Sequence, residues 1–173
     1  SKGKITLNNI NIDDLAFPLE VYQSMGLKIK QLNPSSYEFS CSNLKSLKKI
    51  KTKEFPGYPT DLQAQLIASL LKVGQKSKIT ENIFENRFIH IPELRRFGAQ
   101  LDIDGNTVVV NKTNDLFGAE VMATDIRASF SLIIAAIISK GTTTINRIYH
   151  LDRGYEDFDL KLKKCGVNIK RKK

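Results

Sequence analysis

The stretch Ala123-Thr124-Asp125-Ile126-Arg127-Ala128-Ser129-Phe130-Ser131-Leu132-Ile133-Ile134-Ala135-Ala136-Ile137-Ile138-Ser139 opens on a Thr-Asp helix start. It then runs twelve residues, Ala128 to Ser139, without a charge. A helix with no polar stripe has no face to offer water, so it is predicted to be enclosed on all sides. Leu62 to Leu71 is uncharged as well and predicts a second enclosed helix. The strand-like segments read the other way. Gln100-Leu101-Asp102-Ile103-Asp104 and Val167-Asn168-Ile169-Lys170 alternate, as do the ends of Thr107 to Lys112, and alternation leaves one face in water. A doubly wound sheet would have continuously apolar strands and amphipathic helices. The expected class is α/β of the inverted kind, with buried helices and outer sheets.

Working outward, the helix start recurs. Thr60-Asp61-Leu62-Gln63-Ala64 and Thr124-Asp125-Ile126-Arg127-Ala128 lie 64 residues apart. Each opens an apolar helix ending near a glycine, Gly74 or Gly141, followed by a strand, Lys78 to Ile83 or Thr142 to Ile148. A short helix then closes on Phe97-Gly98 or Cys165-Gly166, before a last strand, Gln100 to Ile103 or Val167 to Ile169. The chain start repeats the second half of this unit: strand Ile5 to Ile10, helix Asp13 to Gln23, the pair Met25-Gly26, and strand Leu27 to Ile29. The glycines at 26, 98 and 166 suit the left-handed residue that closes a helix. Gly105-Asn106 suits a hairpin turn. The repeated unit is strand-helix-strand-strand-helix. Residues 1–173 are expected to form a single domain that begins mid-unit, as part of a longer chain.

Composition narrows the class. The chain has 173 residues, 41% apolar, with two cysteines and no Trp, which excludes low-complexity disorder and a disulfide scaffold. The apolar run Leu132 to Ile138 is too short to span a bilayer, and no signal peptide opens the sequence, so no membrane association is expected. The formal charge is +9. Lys45, Lys48, Lys49, Lys51 and Lys53 form one basic run, and Lys170, Arg171, Lys172 and Lys173 another; the remainder balances 18 bases against 18 acids. Neither run has aromatics interleaved for stacking on bases, so the charge reads as solvated surface and a frayed end.

Three segments are denser in polar and rigid residues than folding requires: Phe55 to Gln63, Glu85 to His90, and His150 to Glu156. Asp61, after a stiff Pro-Gly-Tyr-Pro loop, suits either an N-cap together with Thr60 or a general base on a substrate hydroxyl. Asp125 is its equivalent cap. Arg127 is a cation in a first helical turn, where the macrodipole disfavours one; it either pairs with a carboxylate or faces an anionic ligand. Arg87 has the same two readings. Arg153 either pairs with Asp152 or Glu156 or binds phosphate or carboxylate. Phe84, beside Ile83, is a core residue or a stacking platform. His90 and His150 lack the companions of a zinc site, no phosphate-cradling glycine loop is present, and Cys41 and Cys165 read as inert.

The stretch Phe-Pro-Gly-Tyr-Pro-Thr-Asp-Leu-Gln, then Glu-Asn-Arg-Phe-Ile-His, Ala-Thr-Asp-Ile-Arg-Ala-Ser and His-Leu-Asp-Arg-Gly-Tyr-Glu, in this order, closely resembles the UDP-N-acetylglucosamine 1-carboxyvinyltransferase family of enolpyruvyl transferases. The resemblance runs from about Gly3 to Arg171. It implies an inside-out α/β barrel of the enolpyruvyl transferase type, this chain being most of one of two domains with the active site between them. The implied activity transfers enolpyruvyl from phosphoenolpyruvate to the 3-hydroxyl of UDP-N-acetylglucosamine with release of phosphate. No cofactor, metal or nucleic acid is implied. The setting would be the bacterial cytoplasm, in peptidoglycan synthesis, and so in cell-wall biogenesis, cell shape and division.

By the same resemblance, Asp61 is the base, with Asp125, Arg127 and Arg153 as further catalytic residues; Thr60, Asp61, Ile83, Phe84 and Arg87 bind substrate. The family's other domain supplies a lysine, further arginines, and a cysteine or aspartate general acid that nothing here matches, so these residues alone are expected to be inactive. A stand-alone nucleotide-sugar or RNA-binding module of related fold is the alternative, and a catalytically retired paralogue a third reading.

Overall fold

The computed structural model describes residues 3–172, so Lys173 of the second basic run lies outside them. Among these residues the strands form three sheets. β1 (Gly3–Leu7), β2 (Lys28–Asn33) and β3 (Ser36–Cys41) make an antiparallel sheet in the order β1-β3-β2. β4 (Lys49–Lys51), β5 (Ser77–Thr80), β6 (Leu101–Asp104) and β7 (Thr107–Val110) follow the order β4-β5-β7-β6, with β4 parallel to β5. β8 (Glu120–Met122) and β9 (Thr144–Asn146) are a parallel pair. The helices are α1 (Ala16–Ser24), α2 (Gln63–Leu70), α3 (Ile91–Arg96), α4 (Ile126–Ile138), α5 (Tyr149–Asp152) and α6 (Phe158–Lys164).

The inverted layering follows from the side chains. α2 is buried almost throughout, Leu66 and Ile67 completely, and it packs along α4. In the four-stranded sheet the register sets Ile79 beside Val108, both buried in the same core, while Lys78 on the next position is exposed. The expected fold class therefore holds: the central helices lie inside and the sheets outside, with β5, β7 and β8 burying alternate residues. Gly26, Gly98 and Gly166 have φ of +106°, +89° and +85°, the left-handed closures that the repeat required. A two-residue turn at Gly105-Asn106 joins β6 to β7, with Asp104 opposite Thr107.

Three expectations need correction. First, α4 is not enclosed on all sides. Ala128, Leu132 and Ala135 are buried, but Phe130 and Ile134 are half-buried and Ile137 is 40% exposed. Its main neighbours, α2, α3 and α5, leave this stripe open. Second, Val167 to Ile169 is not a strand. The Val167 amide turns back to the Leu162 carbonyl at 3.0 Å, and no ladder partner lies alongside among the described residues. Third, the first strand is earlier than expected: it covers Gly3–Leu7, and residues 8–10 lie outside it.

This arrangement brings chain ends of one kind together. β5 runs out into Glu81 and β8 into Asp125, and these carboxyl ends meet the N-terminal ends of α2 and α4. Open α/β structures bind ligands at such junctions, where strands end and helices begin.

Candidate active site

Asp61 lies in a short 3-10 turn, Thr60–Leu62, ahead of α2. The loop before it is anchored by Tyr58, a buried core residue whose hydroxyl donates to the Leu62 carbonyl at 3.3 Å. Burial pushes the Tyr58 hydroxyl well above the usual tyrosine range, so it remains a neutral donor. Gly57 is required in the loop, because a Cβ there would strike the Lys53 side chain and come 3.0 Å from the Glu54 carbonyl oxygen.

Both expected arginines converge on Asp61. Arg87 donates from Nη1 to Thr60 Oγ1 at 3.0 Å and from Nη2 to Asp61 Oδ1 at 3.2 Å. Arg127 donates from Nη2 to Asp61 Oδ2 at 3.2 Å, and its Nε contacts Oδ1 as well. The carboxylate remains 53% exposed and so open to a ligand. The capping reading of Asp61 and Thr60 is corrected here. The turn makes no side-chain cap, because the guanidiniums draw the Asp61 carboxylate outward and Thr60 is engaged elsewhere. Asp125 does cap: its Oδ1 accepts from the amides of Arg127 at 2.7 Å and Ala128 at 2.8 Å.

Beside Arg87 lies an open groove of about 800 Å³, lined among others by Ile83, Phe84, Arg87 itself, Ile103 and Asn106. Phe84 is 56% exposed and is no core residue; the Arg87 guanidinium sits 4.6 Å above its ring. Ile83 and Phe84 are held by Glu81, a buried carboxylate that sequence reasoning passed over. Its Oε1 accepts from the Ile83 amide at 2.9 Å, the Phe84 amide at 3.2 Å and Thr52 Oγ1 at 2.8 Å, and its Oε2 from Thr60 Oγ1 at 2.9 Å. A lone glutamate at a strand end carries no motif; only its place just before the Ile83-Phe84 pair could have flagged it.

Arg153 is exposed, and both acids expected to pair with it are engaged: Asp152 with Arg171 at 2.6 Å and Glu156 with Lys161 at 3.6 Å. It has no salt-bridge partner among the described residues, which leaves its fork free for an anion. Its loop is tied to α4 through Gly154, where a Cβ would come 2.7 Å from Ile126 Cγ1, one residue from Arg127. Tyr155 is a second residue missed. It stacks on Phe130 with centroids 4.4 Å apart and accepts from Gln65 Nε2 at 3.3 Å; burial raises its pKa, opposed by the Gln65 bond and the Arg127 charge. His90 is buried, its pKa lowered to about 4 by burial, with Asp125 pulling weakly the other way. Among the described residues no group of three or more His, Cys, Asp or Glu could hold a metal ion. No described helix is long and apolar enough to cross a membrane.

The family model described as EPSP synthase (3-phosphoshikimate 1-carboxyvinyltransferase) matches residues 1–162, and the chain belongs to that family. The chain is 49% identical over 173 residues to a UDP-N-acetylglucosamine 1-carboxyvinyltransferase of Bartonella henselae, covering 98% of this chain and 40% of that protein. It is 45% identical to the protein of that name from Campylobacter lari, covering 99% and 41%. Among solved structures, the enolpyruvyl transferase NikO from Streptomyces tendae superposes with a TM-score of 0.83 at 26% identity, covering 96% of this chain and 40% of that one. EPSP synthase from Acinetobacter baumannii shares the fold at a TM-score of 0.74 and 14% identity, covering 99% and 41%. The chain thus spans about 40% of the length of the curated relatives it matches.

Proposed function

We propose that the chain is most of one of the two domains of an enzyme that transfers the enolpyruvyl group of phosphoenolpyruvate to the 3-hydroxyl of UDP-N-acetylglucosamine. The narrower substrate is supported by 49% and 45% identity to relatives of that name, against 14% to the EPSP synthase structure. The observation that carries the reading is Asp61, half exposed between Arg87 and Arg127, of which Arg87 also lines the groove.

The reaction adds the sugar oxygen to C2 of phosphoenolpyruvate and a proton to C3. The tetrahedral adduct then loses phosphate from C2 and a proton from C3. In this reading Asp61 accepts the proton of the 3-hydroxyl, exchanging one guanidinium contact for the substrate. Arg127 stabilises charge developing beside it, and Arg153 meets the phosphate or carboxylate of phosphoenolpyruvate. Asp125 holds the head of α4 by its cap, which fixes Arg127. Thr60, Ile83, Phe84 and Arg87 form the nucleotide-sugar side of the groove. The proton delivered to C3 comes from the second domain. The setting is cytoplasmic peptidoglycan synthesis, and with it cell-wall biogenesis and division.

The test is phosphate release from phosphoenolpyruvate, dependent on UDP-N-acetylglucosamine, by the polypeptide carrying these residues at the length of its relatives. Asp61→Asn is expected to lower kcat by on the order of 10²–10⁴, and the 173 residues alone to release nothing. Undiminished turnover by Asp61→Asn sinks the assignment of the base; release by the isolated chain sinks the two-domain reading.

A further inference from the structure

We propose that Glu81 is a positioning residue of this site: its buried carboxylate fixes the direction of a hydrogen-bond relay from Glu81 through Thr60 and Arg87 to Asp61. The proposal deepens the reading of Asp61 above and rests on it.

Glu81 is 2% exposed, and Thr52 beside it is fully buried. An ionised carboxylate can only accept, so each of the four groups facing Glu81 must donate to it. The Thr60 hydroxyl has a single hydrogen, and it is committed to Glu81 Oε2 at 2.9 Å. The Thr60 oxygen is then left with lone pairs alone, which accept from Arg87 Nη1 at 3.0 Å. That contact turns the guanidinium so that Nη2 meets Asp61 Oδ1 at 3.2 Å.

Glu81 also reaches Arg87 by a second route. Its Oε1 holds the Ile83 and Phe84 amides, and the Phe84 ring lies beneath the same guanidinium at 4.6 Å. One buried group therefore sets both the hydrogen-bonding edge and the stacking face of Arg87. No cation pairs with Glu81 directly among the described residues. Its charge is compensated by four donors drawn from three separate segments, an arrangement that is unfavourable once any one of them is withdrawn.

Glutamine keeps the shape of Glu81 but cannot accept from all four donors. Its amide has one accepting oxygen and one donating NH2. With the NH2 toward Thr60, the hydroxyl oxygen faces two donors at once. With the NH2 toward Thr52, the backbone amides of Ile83 and Phe84 lose their acceptor.

The experiment uses the protein at the full length of its relatives, in Glu81→Gln, Thr60→Val, Thr60→Ser and the Glu81→Gln/Thr60→Val double variant. Glu81→Gln and Thr60→Val are each expected to lower kcat/KM for UDP-N-acetylglucosamine on the order of tenfold to a hundredfold. The double variant should fall no further than the worse single, and Thr60→Ser, which keeps the hydroxyl, should restore most of the loss. In parallel, NMR of the Arg87 guanidinium should show restricted rotation in the wild type and averaging in Glu81→Gln and Thr60→Val. A folded Glu81→Gln variant with kcat/KM within about twofold of wild type, losses that multiply in the double variant, or unchanged Arg87 signals would each overturn the proposal. If Glu81→Gln does not fold, Glu81→Asp, which keeps the charge but shortens its reach to Thr60, takes its place in the same comparisons. If the wild type transfers no enolpyruvyl group, the reading of Asp61 fails by itself, and the Arg87 signals still decide the relay.

Discussion

Asp61 and Asp125 stand at equivalent positions in two copies of one helix-start motif and act differently. Asp125 turns inward and caps α4 through two backbone amides. Asp61 turns outward, because two guanidiniums reach it and its helix start makes no side-chain cap. The difference predicts unequal costs on truncation. Asp125→Ala removes a cap and is expected to destabilise the fold by about 0.5–2 kcal/mol. Asp61→Ala removes half-exposed ion pairs screened by water, and its cost should stay below about 1 kcal/mol. Urea midpoints of the two variants check this, and equal losses would mean that Asp61 does structural work after all. On the function proposed above, ligand binding should follow the opposite order, with Asp61→Ala losing more affinity for UDP-N-acetylglucosamine than Asp125→Ala.

Between elements, two glycines allow contacts that any side chain would break. Gly118, leading into β8, faces the backbone of Thr142 ahead of β9; a Cβ there would sit 2.5 Å from its carbonyl carbon and 2.8 Å from its nitrogen. Backbone cannot rotate away, so Gly118→Ala must spread the parallel pair. A loss of roughly 1–3 kcal/mol is expected, read as a lower melting temperature. Gly154→Ala instead meets side-chain atoms of Ile126, Cγ1 at 2.7 Å among them; relief needs a χ1 change that a β-branched residue resists, but no backbone need move, so it should cost less. If Gly154→Ala proves the more damaging, the packing of the Arg153 loop against α4 is tighter than side-chain contact alone. Elements of this kind differed in how far the chain announced them. The closures at Gly26, Gly98 and Gly166 were legible because a left-handed residue restricts the choice of side chain. The buried α2 was legible from its missing charges. Val167 to Ile169 misled, because alternation reports a wet face but not whether a partner strand lies alongside. The motif resemblance singled out Asp61, Arg87, Arg127 and Arg153 as candidates and left open what each would touch; the structure brings the first three together. Glu81 and Tyr155 were illegible as site residues, since their partners lie 21 and 90 positions away.

For the molecule as a whole, the +9 charge divides into parts with different physical roles. Lys49 and Lys51 are exposed on β4, an edge strand of its sheet, where charge discourages further pairing. Arg171 of the second basic run is no frayed end: it binds Asp152 through two nitrogens at 2.6 and 3.0 Å, meets Asp159 at 3.1 Å and lies 5.1 Å over the Phe158 ring. These placements set the response to acid. His90 is buried with its pKa lowered from 6.5 to about 4, so the unfolded chain binds a proton in that interval and the folded chain does not. Stability from this residue is fully present above pH 6.5 and drains away as pH falls toward 4, by roughly 3 kcal/mol in all. Asp152 and Asp115 act lower on the scale. Hydrogen bonds from Arg171 and Lys140 hold their carboxyls below the ordinary value, so their contribution is present above about pH 4 and is lost as pH falls through their folded values. Thermal melts from pH 7 to 3 should therefore show two successive declines. His90→Gln should flatten the first decline and leave the second. Arg171→Gln should weaken the second without touching the first. A first decline that survives His90→Gln intact would place its origin elsewhere, and would mean that His90 already carries its proton inside the fold.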